Sequence, residues 1–427
     1  MNKVDNCQAA KLNFGALQLS FPCPHFEVGS NPKGIVSVNL ADSVVGWAFG
    51  APRCQPAMRR LQAASLPRST TIKNFQEEYL VMLKWFRYLV LAFSVIACLP
   101  ALAQQNFVTL QHVPSVSRLR TGSFIPMPTT HARGLSSLPA GVASPHAKAA
   151  SRSQLTRGRR YPGDLEYQGG VVLPTAVQHA IFTDPSSSCP PNACWGDPIG
   201  FLSDLDKSRV IHLSDQYVGT SAPHRYPVGD NFVVPSYNPS AGVGQPFTNL
   251  DLAILAYSAA AQTGGLGLGN IYHVFLAPGQ DACFDNTFSV CYSPDNVKTW
   301  FFCAYHGSAQ DSAGNVVLYT VEPFQNVSGC NVRPDTPNGQ LTDSTNNVLS
   351  HEFFETITDP VGDGWWNSLN NGIFGEEIGD ECSFLLFTAT DVFFDPNLVR
   401  LNRNSYAIQP EYVNSQHACS TSASDGD

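Results

Sequence analysis

The chain has 427 residues, of which 43% are hydrophobic and 14% are charged; this composition predicts a folded core and excludes general disorder. Its formal net charge of −9 argues against a protein that binds nucleic acid through an excess of basic residues. The charge is distributed unevenly along the chain. Residues 82–160 contain ten Lys/Arg and no Asp/Glu, whereas residues 161–427 contain seven Lys/Arg and 29 Asp/Glu.

Residues 82–103 have the three parts of a secretory signal peptide. Lys84 and Arg87 form its positive start, residues 88–99 are almost wholly apolar, and residues 101–103 (ALA) resemble a cleavage site. The apolar run is shorter than the roughly 20 residues that a membrane-spanning helix needs. We therefore expect a secreted protein, extracellular or periplasmic, with no stable membrane span after signal cleavage. Residues 1–81 are then an upstream extension outside the native chain; a cytoplasmic domain before a signal anchor is the alternative.

Residues 104–160 are rich in Ser, Pro, Ala, Arg and Thr and end in the basic sequence RGRR at residues 157–160. A segment of this composition buries too little apolar surface to order itself. It is predicted to be a basic, disordered linker or pro-segment, and its basic end is a plausible processing site. The same basic end could instead dock on the acidic segment that follows.

Residues 161–427 are predicted to form a single acidic domain of mixed α/β (α+β) class. Asp197 and Pro198 have the pattern of an N-cap followed by the first helical position, and apolar residues then recur on one helical face. Further helices are predicted at residues 249–262 and 342–357. Strands are predicted at residues 167–173, 175–182, 271–276, 300–305 and 316–321.

The predicted domain contains an even number of cysteines, which in an exported chain indicates up to four disulfides. They are Cys189, Cys194, Cys283, Cys291, Cys303, Cys330, Cys382 and Cys419. Short spacing favours the pairs Cys189–Cys194 and Cys283–Cys291. A zinc–cysteine site is the alternative, but no CxxC pair is present.

The motif HEFFE at residues 351–355 is the main indication of chemistry. On a helix, His351 and Glu355 project from one face about one turn apart, as two ligands of one metal ion must. Glu352 lies beside them, where a general base can reach a metal-bound water. This is the arrangement of HExxH zinc proteases, with Glu355 in place of the second histidine. A surface histidine beside an acidic helix is the structural alternative.

A third ligand has to come from outside the motif, and Glu377 is the predicted one. Asp380 could orient a histidine from outside the ligand set, and Asp359 is a rival ligand because it continues the same helical face. His306 is a further possible ligand, although a structural role is more common for an isolated histidine.

Four motifs resemble those of the EXORDIUM-like, phosphate-induced family of exported proteins. They are residues 169–172 (GGVV), residues 301–307 (FFCAYHG), residues 350–355 (SHEFFE) with 358–360 (TDP), and residues 377–382 (EIGDEC). The resemblance implies export and a related fold, with a distant relationship to HExxH-type metallopeptidases and a metallopeptidase-like active-site helix.

Two functions follow as hypotheses. The first is an exported zinc-dependent peptidase, in which a metal-bound water activated by Glu352 attacks a peptide or protein substrate. The second is a non-catalytic signalling or binding protein that recognises an extracellular partner. In that case an oxygen-rich acidic cluster at Glu355, Asp359, Asp363, Glu376, Glu377 and Asp380 holds a structural ion such as calcium. Contact between His351 and the ion distinguishes the two, because calcium sites use oxygen ligands.

Overall fold

The computed structural model describes residues 11–14, 17–20, 105–110, 119–128, 163–367, 377–383 and 393–423. The predicted signal peptide at residues 82–103 and the acidic residue Glu376 lie outside these ranges. The chain divides into two compact units, Met1–Leu99 and Pro100–Asp427. In the first unit, β1 (Lys11–Phe14) and β2 (Leu17–Ser20) form an antiparallel pair. In the part of the chain that the structure describes, no helix is both long and apolar enough to cross a membrane.

The second unit contains both helices and strands, which confirms the mixed α/β class. Its strands are β3 (Phe107–Thr109), β4 (Arg120–Pro128), β5 (Glu166–Tyr167), β6 (Val177–Thr183), β7 (Asn231–Val234), β8 (Phe247–Thr248), β9 (Asn270–Phe275), β10 (Ala282–Cys283), β11 (Cys291–Tyr292), β12 (Phe302–Gln310), β13 (Val316–Glu322), β14 (Trp365–Trp366), β15 (Asn397–Leu401), β16 (Asn404–Ile408), β17 (Glu411–Val413) and β18 (Ala418–Ser420). Its α-helices are α1 (Pro198–Asp206), α2 (Asp215–Val218), α3 (Asn249–Thr263), α4 (Gln340–Thr358) and α5 (Asp380–Ser383).

The centre of this unit is a seven-stranded mixed sheet with the order β3-β7-β6-β9-β13-β12-β4. The five strands β3, β7, β6, β9 and β13 are parallel to one another, whereas β12 is antiparallel to both β13 and β4. The described part of this unit also contains one three-stranded sheet, β11-β10-β8, and the two-stranded sheets β14-β5, β15-β16 and β17-β18.

Two strands of the central sheet come from the segment that the sequence predicts to be disordered. Strand β3 pairs with β7, and β4 pairs with β12 at the opposite edge of the sheet. The prediction of a disordered linker is wrong for these two stretches, because each satisfies its backbone hydrogen bonds on a sheet edge that the acidic domain provides. Their own composition does not reveal such pairing.

The two long helices lie on opposite faces of the central sheet. Tyr272 and Val274 of β9 pack in one hydrophobic core with the apolar side of α3, whereas Ile271 and Phe275 pack in a second core with α4. This alternation is the two-residue period expected of a strand that is buried on both faces. One face of the sheet thus packs in a core with α3, and the other packs in a core with α4.

Local sequence signals explain where these helices begin and end. The Thr248 side chain accepts from the backbone N–H of Asp251, whose carboxylate accepts from Thr248 in return, so α3 begins with a capping box. It ends at Gly264 in the left-handed conformation. As predicted, Asp197 caps α1 and Pro198 is its first residue. The strand predicted at residues 167–173 is shorter than expected, because only Glu166–Tyr167 pairs with another strand.

Four disulfides connect the eight cysteines of the acidic domain. The two predicted pairs, Cys189–Cys194 and Cys283–Cys291, are both confirmed. Cys303–Cys330 and Cys382–Cys419 complete the set. The last bond attaches α5 to the terminal hairpin of β17 and β18, and α5 begins with the predicted site residue Asp380.

Removal of the Cys382–Cys419 bond is expected to destabilise the protein more than removal of Cys189–Cys194. The two bonds span 37 and 5 residues, for which the chain-entropy relation gives about 4 and about 2 kcal/mol. Guanidinium unfolding of the double serine variants of each pair measures both values. Equal losses of unfolding free energy would contradict this ranking.

Candidate metal centre

Helix α4 is unusual because its polar residues are buried as completely as its apolar ones. Every residue from Asp343 to Thr358 is buried. The apolar residues Leu349, Phe353 and Ile357 pack in the core beneath the helix. His351, Glu352 and Glu355 have no exposed surface, so their charges and lone pairs must be compensated inside the protein.

The first group of metal-ligand type consists of His351, Glu355 and Asp380. Nε2 of His351 lies 3.1 Å from Oε1 of Glu355 and 3.6 Å from Oδ1 of Asp380. The backbone N–H of Asp380 also donates to Oε1 of Glu355 at 3.2 Å. The predicted i, i+4 pair is therefore completed by Asp380, which the sequence placed outside the ligand set.

The second group consists of His306, Glu352 and Glu355. Nδ1 of His306 lies 3.3 Å from Oε2 of Glu355 and 3.5 Å from Oε2 of Glu352. His306 reaches the helix because it is on β12, on the sheet face that α4 covers. The isolated histidine of the sequence thus joins the motif, and the predicted base Glu352 is beside it.

Glu377 and Asp359 lie near His306, on its other side. Nε2 of His306 is 3.6 Å from Oε2 of Glu377 and 3.4 Å from the backbone carbonyl of Asp359. Oδ1 of Asp359 accepts from the backbone N–H of Gly364 at 2.7 Å and so holds the turn after α4. The structure therefore brings all the predicted site residues into one cluster, but pairs Glu377 with His306 instead of His351. Its predicted role as a ligand stays a prediction.

Several nitrogen and oxygen atoms that could bind a metal ion lie close together in the cluster without being hydrogen-bonded to one another. Among the described residues, Nδ1 of His306, Nε2 of His351 and Oε2 of Glu355 have no partner with hydrogen-bond geometry. In a tetrahedral zinc site with bonds of about 2.0–2.1 Å, neighbouring ligand atoms are about 3.3 Å apart. The separations of 3.1–3.6 Å within the two groups match this value.

Proton affinities reflect the density of charge in the cluster. Burial alone lowers the pKa of His351, but the carboxylates of Glu355 and Asp380 outweigh it and raise that pKa above its ordinary value. Burial raises the pKa of Glu355, but the two histidines reverse this and lower it. Burial and the nearby carboxylates of Asp359 and Glu355 raise the pKa of Glu377 well above its ordinary value. A bound cation would compensate the same charges.

Buried polar residues outside the motif support the histidine of the first group. The side-chain amide of Gln409 donates to the carbonyl of Gly379 at 3.0 Å. A Cβ at Gly379 would lie 2.5 Å from Nδ1 of His351, so the glycine backbone packs directly on the imidazole. Burial and the charge of Glu355 raise the pKa of the neighbouring Glu411 well above its ordinary value. Sequence reasoning missed these residues, since no motif spacing links them to α4.

A row of polar side chains continues from His306 across the sheet beneath α4. The strand register places Thr320 beside His306 and His273 beside Thr320. The Thr320 hydroxyl donates to Glu322 at 2.8 Å, so it accepts from Nδ1 of His273, which is 2.9 Å away. Burial, with a smaller contribution from His179, lowers the pKa of His273 to about 3.

Comparison of the chain with protein-family models, with curated proteins and with solved structures gives no match in any of the three.

The substitution Gly379→Ala is expected to weaken the binding of a metal ion at the first group by about tenfold or more, because the new methyl group displaces the His351 ring from its present position. Competition titration with a chelator measures the affinity. Gly269→Ala is the matched control, since a Cβ there meets no atom within 4 Å. Unchanged affinity in Gly379→Ala would show that the position of the ring does not depend on this contact.

His273 is expected to make the protein sensitive to mild acid. Its folded-state pKa of about 3 is below its ordinary value of 6.5, so the unfolded chain takes up the proton first as the pH falls. The contribution of His273 to the free energy of unfolding is therefore fully present above pH 6.5. It decreases below that pH by up to about 1.4 kcal/mol per pH unit. Unfolding free energies of the parent and His273→Gln at several pH values test this. The variant should show the shallower slope, and identical slopes would contradict the assignment.

Proposed function

We propose that this protein is an exported, zinc-dependent hydrolase that acts on peptide bonds. The observation that carries the proposal is the first group, in which two residues one helical turn apart and Asp380 have possible ligand atoms within 4.8 Å of one another. His351, Glu355 and Asp380 supply one imidazole and two carboxylates, a combination that zinc accepts. The i, i+4 spacing within the motif adds the likeness to zinc peptidases on which the choice of substrate rests.

The presence of an imidazole in each group supports zinc over calcium. Calcium is bound by six to eight oxygen ligands, whereas imidazole nitrogen suits zinc and related transition metals. Asp359, a member of the alternative oxygen cluster, already uses one carboxylate oxygen to hold the backbone of Gly364. The donor set therefore fits a zinc ion better than a calcium ion.

The residues of the cluster have separate tasks in this proposal. A bound zinc ion would supply an activated water and polarise the substrate carbonyl. Glu355 is held in place by the N–H of Asp380, which fixes the carboxylate toward His351. The carboxylate of Glu352 lies 3.5 Å from Nδ1 of His306, an atom that is itself 3.3 Å from Glu355. In the one-ion arrangement predicted from the sequence, Glu352 is the general base.

Export is supported by two features of different kinds. Four disulfides in one domain are typical of proteins from oxidising compartments. The signal-peptide pattern at residues 82–103 is consistent with that environment.

A second candidate function is a non-catalytic extracellular protein of EXORDIUM-like type, in which the ion is structural and the protein binds an extracellular partner. The observation that favours it is the complete burial of His351, Glu352 and Glu355. A structural ion needs no access for a substrate, and it would compensate the buried carboxylates of α4.

The substitution Glu355→Ala is expected to abolish zinc binding and, with it, any peptide cleavage, because it removes a ligand and leaves His351 without its closest carboxylate. Glu355→His restores the HExxH pattern and is expected to retain zinc. Asp335→Ala, at an exposed acidic position before α4, is the matched control. Elemental analysis and cleavage of a mixed peptide library are measured on the same preparations.

Three results would change the proposal in different ways. A parent protein without zinc would contradict the metal site. Equal zinc content in the parent and Glu355→Ala would discard Glu355 as a ligand. Zinc that is lost in Glu355→Ala, in a parent that cleaves no peptide, would contradict the hydrolase and support the structural ion.

A further inference from the structure

Glu355 belongs to both groups of the cluster, and its two oxygens face different histidines. Oε1 lies 3.1 Å from Nε2 of His351, whereas Oε2 lies 3.3 Å from Nδ1 of His306. The remaining member of each group is also different, Asp380 in the first and Glu352 in the second. One carboxylate therefore stands between two sets of donor atoms.

We propose that Glu355 bridges two metal ions, one in each group. The first ion is bound by His351, Glu355 and Asp380, and this part rests on the proposed function. The second ion, which that function does not require, is bound by His306, Glu352 and the other oxygen of Glu355. Bridged two-ion sites in hydrolases place their ions about 3.5–4 Å apart, a separation that the two oxygens of one carboxylate can span.

The hydrogen bonding of His306 is the independent observation for the second ion. Its Nε2–H donates to the backbone carbonyl of Asp359 at 3.4 Å. Neutral imidazole then carries a lone pair on Nδ1, and that atom is buried with no hydrogen bond among the described residues. It faces Oε2 of Glu355 and Oε2 of Glu352 at 3.3 and 3.5 Å.

Three lone-pair donors that converge in a buried site repel one another unless a proton or a metal ion lies among them. A metal-bound histidine commonly donates its other ring N–H to a carbonyl, which is the arrangement of His306 and Asp359. The competing explanation is an imidazolium at His306 that forms ion pairs with both carboxylates. These two states differ in whether zinc is bound, so metal stoichiometry separates them.

The second ion changes the role of Glu352. In a one-ion site Glu352 is a base, and its amide variant keeps all the metal. In the two-ion site Glu352 is a ligand, and the same variant loses one ion. The two arrangements thus make opposite predictions for a single substitution.

The experiment measures zinc per chain in the full-length protein after dialysis against dilute zinc and removal of loosely bound ions. The parent is expected to hold about two ions, and His306→Asn and Glu352→Gln about one each. The substitution His306→Asn replaces the imidazole by an amide, which suits zinc less well, and so removes the ligand. His273→Gln, at a buried histidine outside both groups, is the control and should retain both ions. Far-UV circular dichroism of each variant establishes that it is folded.

Each other result overturns the inference in a distinguishable way. One zinc per chain in the parent, unchanged in His306→Asn, would overturn the second ion and leave the proposed function intact. One zinc that is lost in His306→Asn but kept in Asp380→Ala would place a single ion in the second group only. No zinc in any folded sample would overturn both the second ion and the proposed function.

If His306→Asn and Glu352→Gln do not fold, cobalt replaces zinc in the parent protein. Two cobalt(II) ions bridged by one carboxylate interact magnetically. The electron paramagnetic resonance spectrum at half occupancy is therefore expected to differ in shape from the spectrum at full occupancy. A signal that grows in proportion to added cobalt and stops at about one equivalent would overturn the second ion.

Discussion

The compensation of charge beneath α4 is the constraint on which the rest of the site depends. A charged side chain without a partner in a protein interior costs several kcal/mol, so buried carboxylates are paired or coordinate metals. Here Glu355 is buried between His351 and His306. His351 is on α4 itself, His306 is on β12, and the backbone N–H of Asp380 at α5 also donates to Glu355. The position of one carboxylate therefore couples the helix, the sheet and the segment at α5.

The fold supplies those contacts by placing three elements against one another. Strand β12 is antiparallel to β13 and positions His306 on the covered face of the sheet. The apolar residues of α4 hold the helix against that face, which fixes the direction of its polar residues. The segment at α5 carries Asp380 and is attached to the terminal hairpin by Cys382–Cys419. A disulfide whose nearer cysteine, Cys382, lies 27 residues after Glu355 thus helps to position a group beside the motif.

The sequence predicts the parts of this arrangement that depend on local patterns. Helix α4, the N-cap at Asp197 and the closest cysteine pairs follow from spacing within a few residues, and all are present. The order of strands in the sheet depends on distant pairings, which is why β3 and β4 were not predicted. For the same reason the neighbours of Asp380 and Glu377 differ from the prediction. Asp380 lies beside His351, and Glu377 lies beside His306. The two residues are only three positions apart, and the conformation of the segment decides which of them faces His351.

Under the proposed function, the number of described ligands in each group matches that of a catalytic zinc site, and burial does not argue against it. Structural zinc sites are filled by four protein ligands, whereas catalytic sites have three and leave one position for water or substrate. Each group here contains three residues, and Glu355 is shared between them. A zinc ion in either group would therefore keep a coordination position that its three described ligands do not fill. Burial around such a position has a function of its own, since exclusion of bulk water strengthens the electrostatic interactions on which hydrolysis depends.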